Sequence, residues 1–219
     1  MALEVYWGSG SPFAWRVLLT LEVKQLPYQS KLLEFSKREN KSPEYLALNP
    51  RGKVPTLKDG DFALYESLAI MAYLDRAYPE RPIFGRTPQE TGTIWQKVSE
   101  GISYVCEPIS RVTGPLLFGG AAEKESEIRA AATTVANELA HLKGAVAKSP
   151  WLAGAAISAA DIVVFPWIQL LLRAAGKEAA KPLHLGFLPL ATRYPHLAAW
   201  VQRIEAIPGY ERTYPPHWR

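Results

Sequence analysis

Cysteine is nearly absent from this chain of 219 residues, since Cys106 is the only one. A single cysteine cannot form an intramolecular disulfide or a cluster of cysteine metal ligands. The chain also lacks the continuous apolar run of about 18 residues that a membrane-spanning helix needs. It begins MALEVYWGSG, without a basic segment followed by an apolar one, so no secretory signal is predicted. These absences predict a cytoplasmic protein with no metal site and no membrane partner.

A block of basic residues is missing as well. The 25 lysines and arginines are interspersed with 21 acids, as in KLLEFSKRENK at 31–41, and the formal net charge is +4. A nucleic-acid-binding face would need clustered basic residues, so nucleic acid is not a predicted partner. The mild positive charge instead favours the approach of a small anionic substrate.

The first part of the chain alternates between strand and helix patterns. Leu3–Trp7 is a short β-type run that ends at the turn signal GSGSP. From Pro12 the apolar residues recur every three or four positions, which predicts a helix. The run at 28–33 predicts a second strand. A strand–helix–strand unit with a right-handed crossover places its two strands in parallel.

Two further strand-like runs follow, at 55–58 and 62–65. They are joined by Asp59-Gly60-Asp61, and an Asp-Gly pair in this position predicts a hairpin. A second helix comes next, with Ile70 and Leu74 on its apolar face. The order βαβ and then ββα predicts an α/β domain over residues 1–78.

A linker over 79–88 is predicted from YPERPIFGRTP, which has three prolines and a glycine among charged residues. Helical patterns dominate after it, the first of them from 89 to 119, so we predict an all-helical domain over 89–219. One of its helices begins at Ser158. Asp161 lies three residues on and completes a capping-box variant, which explains this acid as structural.

Ser11 precedes Pro12 at the start of the first predicted helix, where serine at the N-cap and proline at the next position are both favoured. Its hydroxyl can accept from the helix backbone and donate its own proton to a bound group, so capping and binding are compatible hypotheses. Ser9 is the local competitor, because it would reach the same group if the helix began elsewhere. Tyr6 lies within the first strand, which favours a packed aromatic.

Two other fragments carry candidate chemistry. In NPRGKVP at 49–55, a cis peptide between Val54 and Pro55 would turn the Val54 backbone outward as a docking edge. In YESLAI, Glu66 and Ser67 lie at a helix start, where backbone N–H groups and the helix dipole favour a carboxylate ligand. Glu66 could hold a cationic amine beside that carboxylate. An amino-acid head group fits this pair.

The segments SPFAWRV, KSPEYLALNPRGKVPTL and ESLAI and the SAAD helix start, in this order and spacing, resemble the cytosolic glutathione S-transferases. The resemblance covers essentially the whole chain. It implies a thioredoxin-like N-terminal domain that binds glutathione as co-substrate. It also implies an all-helical C-terminal domain that completes the pocket for a hydrophobic electrophile, a role in detoxification and a homodimer.

The resemblance also implies site residues one by one. Ser11 resembles the thiol-activating residue of the serine-type classes. Lys41 and Lys53 would pair with the glycyl end of glutathione. The backbone of Val54, at the cis peptide bond to Pro55, would pair with the cysteinyl unit. Glu66 and Ser67, at a helix start, would bind the γ-glutamyl head. An acceptor pocket is usually apolar with a few polar groups. The candidates for it are Trp7, Phe13, Tyr104, Arg111, Phe118 and Trp167.

Ser11 would act on a thiol that titrates near ~8.5 and is mostly protonated at neutral pH. Because the thiolate is the nucleophile, the site must favour the anion by hydrogen bonds and positive potential. The leading hypothesis is therefore a glutathione transferase. The alternatives are a non-catalytic glutathione-binding or interaction module and a glutathione-dependent isomerase. The segment partly resembles the zeta class, but the second serine and the cysteine of that class motif are missing, so isomerase activity is not assigned.

Overall fold

The computed structural model describes residues 3–219. These divide into two compact units, of which one extends to Phe84 and also contains Ala206–Arg219, and the other is Gly85–Glu205. The first unit holds all four strands, which are β1 Leu3–Trp7, β2 Tyr28–Leu32, β3 Thr56–Asp59 and β4 Phe62–Tyr65. The α-helices are α1 Pro12–Lys24, α2 Pro43–Leu48, α3 Ser67–Ala77, α4 Pro88–Glu100, α5 Glu107–Phe118, α6 Glu125–Lys148, α7 Ala159–Ala175, α8 Leu190–Arg193, α9 Pro195–Glu205 and α10 Tyr210–Thr213.

The sheet has the strand order β2-β1-β3-β4. Strands β1 and β2 are parallel, whereas β3 is antiparallel to both β1 and β4. The predicted βαβ unit and the predicted hairpin are therefore confirmed. Strand β3 begins one residue later than predicted, at Thr56, because Pro55 has no N–H to donate to a neighbouring strand. Gly60, at φ +60°, is the first of two loop residues in the hairpin, where a type II′ turn requires glycine.

The core of the first unit lies between the sheet and the helices α1 and α3. Alternate residues of β1 are buried, as the two-residue period of a strand requires, and they pack with apolar residues of α1 and α3. Burial of each large aliphatic side chain contributes about 1.5–3 kcal/mol. This packing fixes the amino end of α1 beside the carboxyl end of β1.

The second unit is helical, but its first helix is not continuous over 89–119 as the sequence pattern suggests. A single π-helical segment, Gly101–Cys106, separates α4 from α5. Pro108 follows it, and this residue has no N–H for the regular helical ladder. A local change of hydrogen-bond register before the proline resolves that conflict.

Helix α7 is buried nearly all round, as its apolar sequence predicts. The predicted capping pair is confirmed, because Asp161 accepts hydrogen bonds from both the N–H and the hydroxyl of Ser158, each at 3.0 Å. Its other oxygen accepts from the Leu152 N–H at 2.9 Å and from the Trp200 indole at 2.8 Å. Burial raises the pKa of Asp161, and the four donated hydrogen bonds act against that rise.

The last residues of the chain depart from the predicted division. The sequence analysis assigned all of 89–219 to the helical domain, whereas Ala206–Arg219 packs with the first unit. The indole of Trp15 on α1 donates a hydrogen bond to the Thr213 hydroxyl at 2.9 Å. A buried aromatic on α1 thus binds a segment that is almost 200 residues away in sequence, a pairing that local patterns do not encode.

Across residues 3–219, no helix is both long enough and apolar enough to cross a membrane. The same part of the chain contains no group of three or more histidine, cysteine, aspartate or glutamate side chains that could hold a metal ion.

The substitution Asp161→Asn is expected to lower the free energy of unfolding by about 1–3 kcal/mol. The four donors now share two carboxylate oxygens, whereas the asparagine amide offers only one acceptor oxygen. Urea unfolding followed by tryptophan fluorescence measures the loss. Glu178→Gln is the matched control, since that carboxylate is exposed and pairs only with Lys181 at the surface. Equal urea midpoints for the two variants would contradict the central role given to Asp161.

Candidate functional site

An open cavity of about 490 Å³ lies in the first unit, at the amino end of α1. Its lining is Ser11, Phe35, Arg38, Asn40, Lys41, Gly52, Lys53 and Val54. The cavity thus brings together Ser11, Lys41, Lys53 and Val54, which the sequence analysis had proposed for one site. Three of the lining side chains are cationic and none is acidic, so the cavity has a positive potential suited to an anionic ligand.

Ser11 is the N-cap of α1, as predicted. Its backbone is extended, and its Oγ accepts a hydrogen bond from the Ala14 N–H at 3.3 Å. Because the helix donor occupies a lone pair of Oγ, the hydroxyl proton remains available for a ligand in the cavity. The amino end of α1 adds its positive dipole at the same place.

Ser9 has a different environment from Ser11. Its hydroxyl is hydrogen-bonded to Nδ1 of His217, 2.5 Å away, and it does not contribute to the cavity lining. Gly10 separates the two serines with φ +80°, a left-handed conformation that glycine adopts without steric cost. Of the two serines that the sequence left in competition, Ser11 is the one on the cavity wall.

Tyr6 is directed to another partner. Its hydroxyl donates to the Glu4 carboxylate at 3.0 Å, and burial together with that carboxylate raises the pKa of Tyr6. A tyrosine that stabilised an anionic ligand would donate its hydroxyl proton to that ligand, whereas Glu4 accepts the proton of Tyr6. The hydrogen bond to Glu4 therefore supports the structural interpretation of Tyr6.

The opposite wall of the cavity is the loop that leads into β3. The side-chain amide of the buried Asn49 donates to the Lys53 carbonyl at 2.7 Å, and the Tyr45 hydroxyl donates to the same carbonyl at 2.5 Å. The following peptide bond, Val54–Pro55, is cis, as the sequence analysis proposed. Pro55 itself is buried behind the wall and does not line the cavity.

The side of the cavity near Lys41 is tied to the same loop. The Asn40 amide donates to the Gly52 carbonyl at 2.8 Å, and Nζ of Lys41 donates to the Arg51 carbonyl at 3.3 Å. Gly52 has φ +57°, and a Cβ there would lie 2.6 Å from Nζ of Lys41. A larger residue at 52 would therefore displace the lysine.

Glu66 and Ser67 lie at the start of α3 and do not line the cavity. Glu66 is exposed with φ +71°, an unusual conformation for a residue other than glycine. Such backbone strain costs of order 1–3 kcal/mol and is common in binding sites. Ser67 is buried as the first residue of the helix.

None of the six acceptor-site candidates is among the residues that line this cavity. Trp7 is buried in the core of the first unit and donates its indole N–H to Ser30 at 2.7 Å, while Phe13 is exposed. In the second unit Trp167 is buried in α7, and Arg111 pairs with Glu107 at 2.7 Å. The remaining two are exposed aromatics of the second unit, Tyr104 and Phe118.

Four lining residues were missed by the sequence analysis, namely Phe35, Arg38, Asn40 and Gly52. The first three belong to the polar run KLLEFSKRENK, which was interpreted as scattered charge. Arg38 has φ +56° between two short 3₁₀ turns, Phe35–Lys37 and Glu39–Lys41. No periodic pattern marks so short and irregular a segment, so its approach to the cavity became visible only in the fold.

Comparisons with known proteins agree with the fold described above. Residues 10–77 match the family model described as the N-terminal domain of glutathione S-transferase, and residues 125–203 match the model of its C-terminal domain. Glutathione S-transferase A of Pleuronectes platessa is 30% identical to this chain, over 99% of this chain and 92% of the fish protein. Human glutathione S-transferase theta-2B is 28% identical to this chain, over 99% of this chain and 86% of the human protein.

Solved structures give the same result. The crystal structure of a glutathione S-transferase from the Antarctic clam Laternula elliptica has a TM-score of 0.85 and 30% identity, over all of this chain and 94% of the clam protein. Poplar glutathione transferase F1 has a TM-score of 0.81 and 26% identity, over 97% of this chain and 96% of the poplar protein.

Asn49→Ala is expected to lower the free energy of unfolding by about 1–3 kcal/mol, because the Lys53 carbonyl loses a donor and the Arg51 N–H loses its acceptor. Denaturant titration measures the change. The control is Asn137→Ala, at an exposed position of α6, for which the midpoint should stay near that of the unsubstituted protein. If both variants unfold at the same denaturant concentration, Asn49 does not stabilise the cavity wall.

Proposed function

This chain belongs to the glutathione S-transferase family and is a glutathione transferase, and we propose that it forms the glutathione thiolate at Ser11. The names of the matched relatives and structures do not favour a non-catalytic module or an isomerase. The serine-type assignment within the family is part of the proposal.

One observation carries the proposal. Ser11 caps α1 through its Oγ and stands on the wall of a cavity that also contains cationic side chains. A sulfur placed against this helix end would receive the Ser11 hydroxyl proton in a hydrogen bond and would be stabilised by the helix dipole. Lowering a thiol pKa by one unit requires about 1.4 kcal/mol. A hydrogen bond to a charged group contributes about 1.5–3 kcal/mol, so this site is sufficient to populate the thiolate.

The chemical step then needs little else from the protein. The thiol proton leaves to solvent, and the sulfur lone pair forms a bond to an electrophilic carbon of the second substrate, either by addition or by displacement of a leaving group. Ser11 keeps its own proton throughout, as a donor to sulfur. Holding both substrates in one geometry supplies the remaining rate enhancement.

The rest of the glutathione molecule is proposed to follow the cavity wall. Lys41 and Lys53, which both line the cavity, are proposed to pair with the glycyl carboxylate. The Val54 backbone is proposed to pair with the cysteinyl unit. The cis peptide bond to Pro55 follows it directly. The strained start of α3, with Glu66 and Ser67, is proposed to take the γ-glutamyl head. This last part rests on the family resemblance together with the helix start, since the two residues lie outside the cavity lining.

The remaining parts of the proposal rest on the family resemblance. They are a hydrophobic electrophile as second substrate, a role in detoxification, a homodimer and a cytoplasmic location. Turnover with a panel of aryl halides and hydroperoxides tests the substrate class. Light scattering on purified protein tests the assembly, and a mass of one chain would exclude the homodimer.

Ser11→Ala is expected to lower kcat/KM for chlorodinitrobenzene about ten- to hundredfold at neutral pH, because a hydrogen bond to the thiolate is lost. Glutathione affinity, measured by calorimetry, should change little.

The pH dependence separates this effect from misfolding. Since Ser11 lowers the thiol pKa, the variant needs a higher pH to reach the same thiolate fraction, so its rate profile should shift to alkaline pH. Ser36→Ala, an exposed serine outside the cavity, is the control and should retain both rate and profile. An unshifted profile in Ser11→Ala would exclude Ser11 as the thiol-activating residue.

Lys53→Gln is expected to raise KM for glutathione about two- to fivefold with little change in kcat, because exposed ion pairs contribute up to about 1 kcal/mol. The effect should diminish at high salt, which screens exposed charges. Lys37→Gln provides the control, since Lys37 pairs with Glu34 at 3.0 Å and does not line the cavity. Equal KM values for both variants at low salt would contradict a carboxylate contact at Lys53.

A further inference from the structure

The segment 210–219 is held along α1 by polar contacts. The Trp15 indole donates to the Thr213 hydroxyl at 2.9 Å, and the Arg212 guanidinium forms a bidentate ion pair with the buried carboxylate of Glu22. Both partners on α1 are buried, so the segment is fixed at two points about two turns apart. We call residues 210–219 the C-terminal segment.

Aromatic contacts extend this attachment toward the amino end of α1. The rings of Tyr214 and Trp218 lie edge-on to Trp15, with centroids 5.8 and 5.4 Å away. Edge-to-face pairs of this kind contribute about 0.5–1.5 kcal/mol beyond the area they bury. The C-terminal segment therefore reaches the turn that precedes Ser11 in a defined position.

His217 packs against that turn. Its Nδ1 is 2.5 Å from the Ser9 hydroxyl oxygen, and its Nε2 accepts a hydrogen bond from the Trp218 indole at 3.0 Å. The ring also packs on Gly10, where a Cβ would lie 2.8 Å from Cε1 of His217. The imidazole is thus in direct contact with the two residues that precede Ser11.

The Trp218 contact decides which form of the imidazole is bound. An indole N–H is a donor only, so Nε2 must carry a lone pair. In a neutral imidazole the proton then resides on Nδ1, which donates to the Ser9 hydroxyl. Donor and acceptor are therefore assigned along the chain from Trp218 through His217 to Ser9.

We propose that His217 is a positioning residue for thiolate formation. It holds Ser9 and Gly10 in the conformation that leaves Ser11 outside α1, with its hydroxyl directed into the cavity. This inference rests on the proposed function of Ser11 and adds to it a contribution from the opposite end of the chain. The first unit of the fold is then incomplete as a catalytic unit without the last residues of the chain.

The test is a set of variants assayed with chlorodinitrobenzene at saturating glutathione. His217→Ala is expected to lower kcat about three- to tenfold, as the loss of one hydrogen bond predicts. The glutathione dissociation constant should stay within twofold. The ultraviolet absorbance of the bound thiolate should fall at neutral pH, which a purely structural role would not cause while the protein remains folded.

Conservative variants sharpen the test. In His217→Asn the amide nitrogen takes the place of Nδ1, so it can still donate to Ser9 and should restore most of kcat. In His217→Gln the amide lies one bond further from the backbone, so this variant should not restore kcat. Arg219→Ala, which removes a contact to Glu211 at the end of the same segment, is the control and should behave as the unsubstituted enzyme.

A double-mutant cycle completes the test. If His217 acts through Ser9, Ser9→Ala should reproduce the loss of His217→Ala, and the double variant should lose no more than either alone. Additive losses, or unchanged kcat and thiolate absorbance in both single variants, would overturn the proposal, provided that Ser11→Ala still lowers thiolate formation at neutral pH. Should Ser11→Ala itself leave the thiolate unaffected, the proposed function fails first and the role of His217 with it.

Discussion

The start of α1 is the constraint on which the site depends. Ser11 must remain in extended backbone for its Oγ to accept from the Ala14 N–H while its hydroxyl stands on the cavity wall. Gly10 and Pro12 fix this boundary from both sides, one by its left-handed backbone and the other by a ring that suits the first helical position. A helix that began one residue earlier would place the Ser11 side chain in the first turn, where it could not cap. Stability and chemistry thus require the same geometry.

The two walls of the cavity are held by different forces. Helix α1 is held by apolar packing against the sheet and α3, which is strong but tolerant of small shifts. The loop before β3 is held by Asn49 and Tyr45, which both donate to the Lys53 carbonyl. Asn49 and Tyr45 are buried and must keep hydrogen-bond partners, which favours this conformation of the loop. Precise placement of Lys53 and Val54 therefore comes from hydrogen bonds.

Sequence reasoning was least informative where a residue's environment depends on contacts between segments that are distant along the chain. Aromatics such as Trp7 and Trp167 have the same local pattern whether they fill a core or line a pocket, and here both are buried. Arg38 appeared to be one more charge in a polar run, yet two short turns bring it to the cavity. His217 had no recognisable motif at all. Its contact with Ser9 joins residues 208 positions apart.

The sequence alone determined the four strands, most of the long helices and the starts of α1 and α7, although not the interruption at Gly101–Cys106. Short β-type runs bounded by turn signals indicated the strands, and three-to-four-residue periodicity indicated the helices. Ser11-Pro12 and Ser158-Asp161 marked two helix starts, because such features depend on near neighbours along the chain. The motif order also determined the family. Only the tertiary structure decided which residues share the cavity, that Ala206–Arg219 packs with the first unit, and that Ser11 and not Ser9 stands on the cavity wall. These outcomes depend on packing between distant segments, and no local sequence pattern encodes the energy of such contacts.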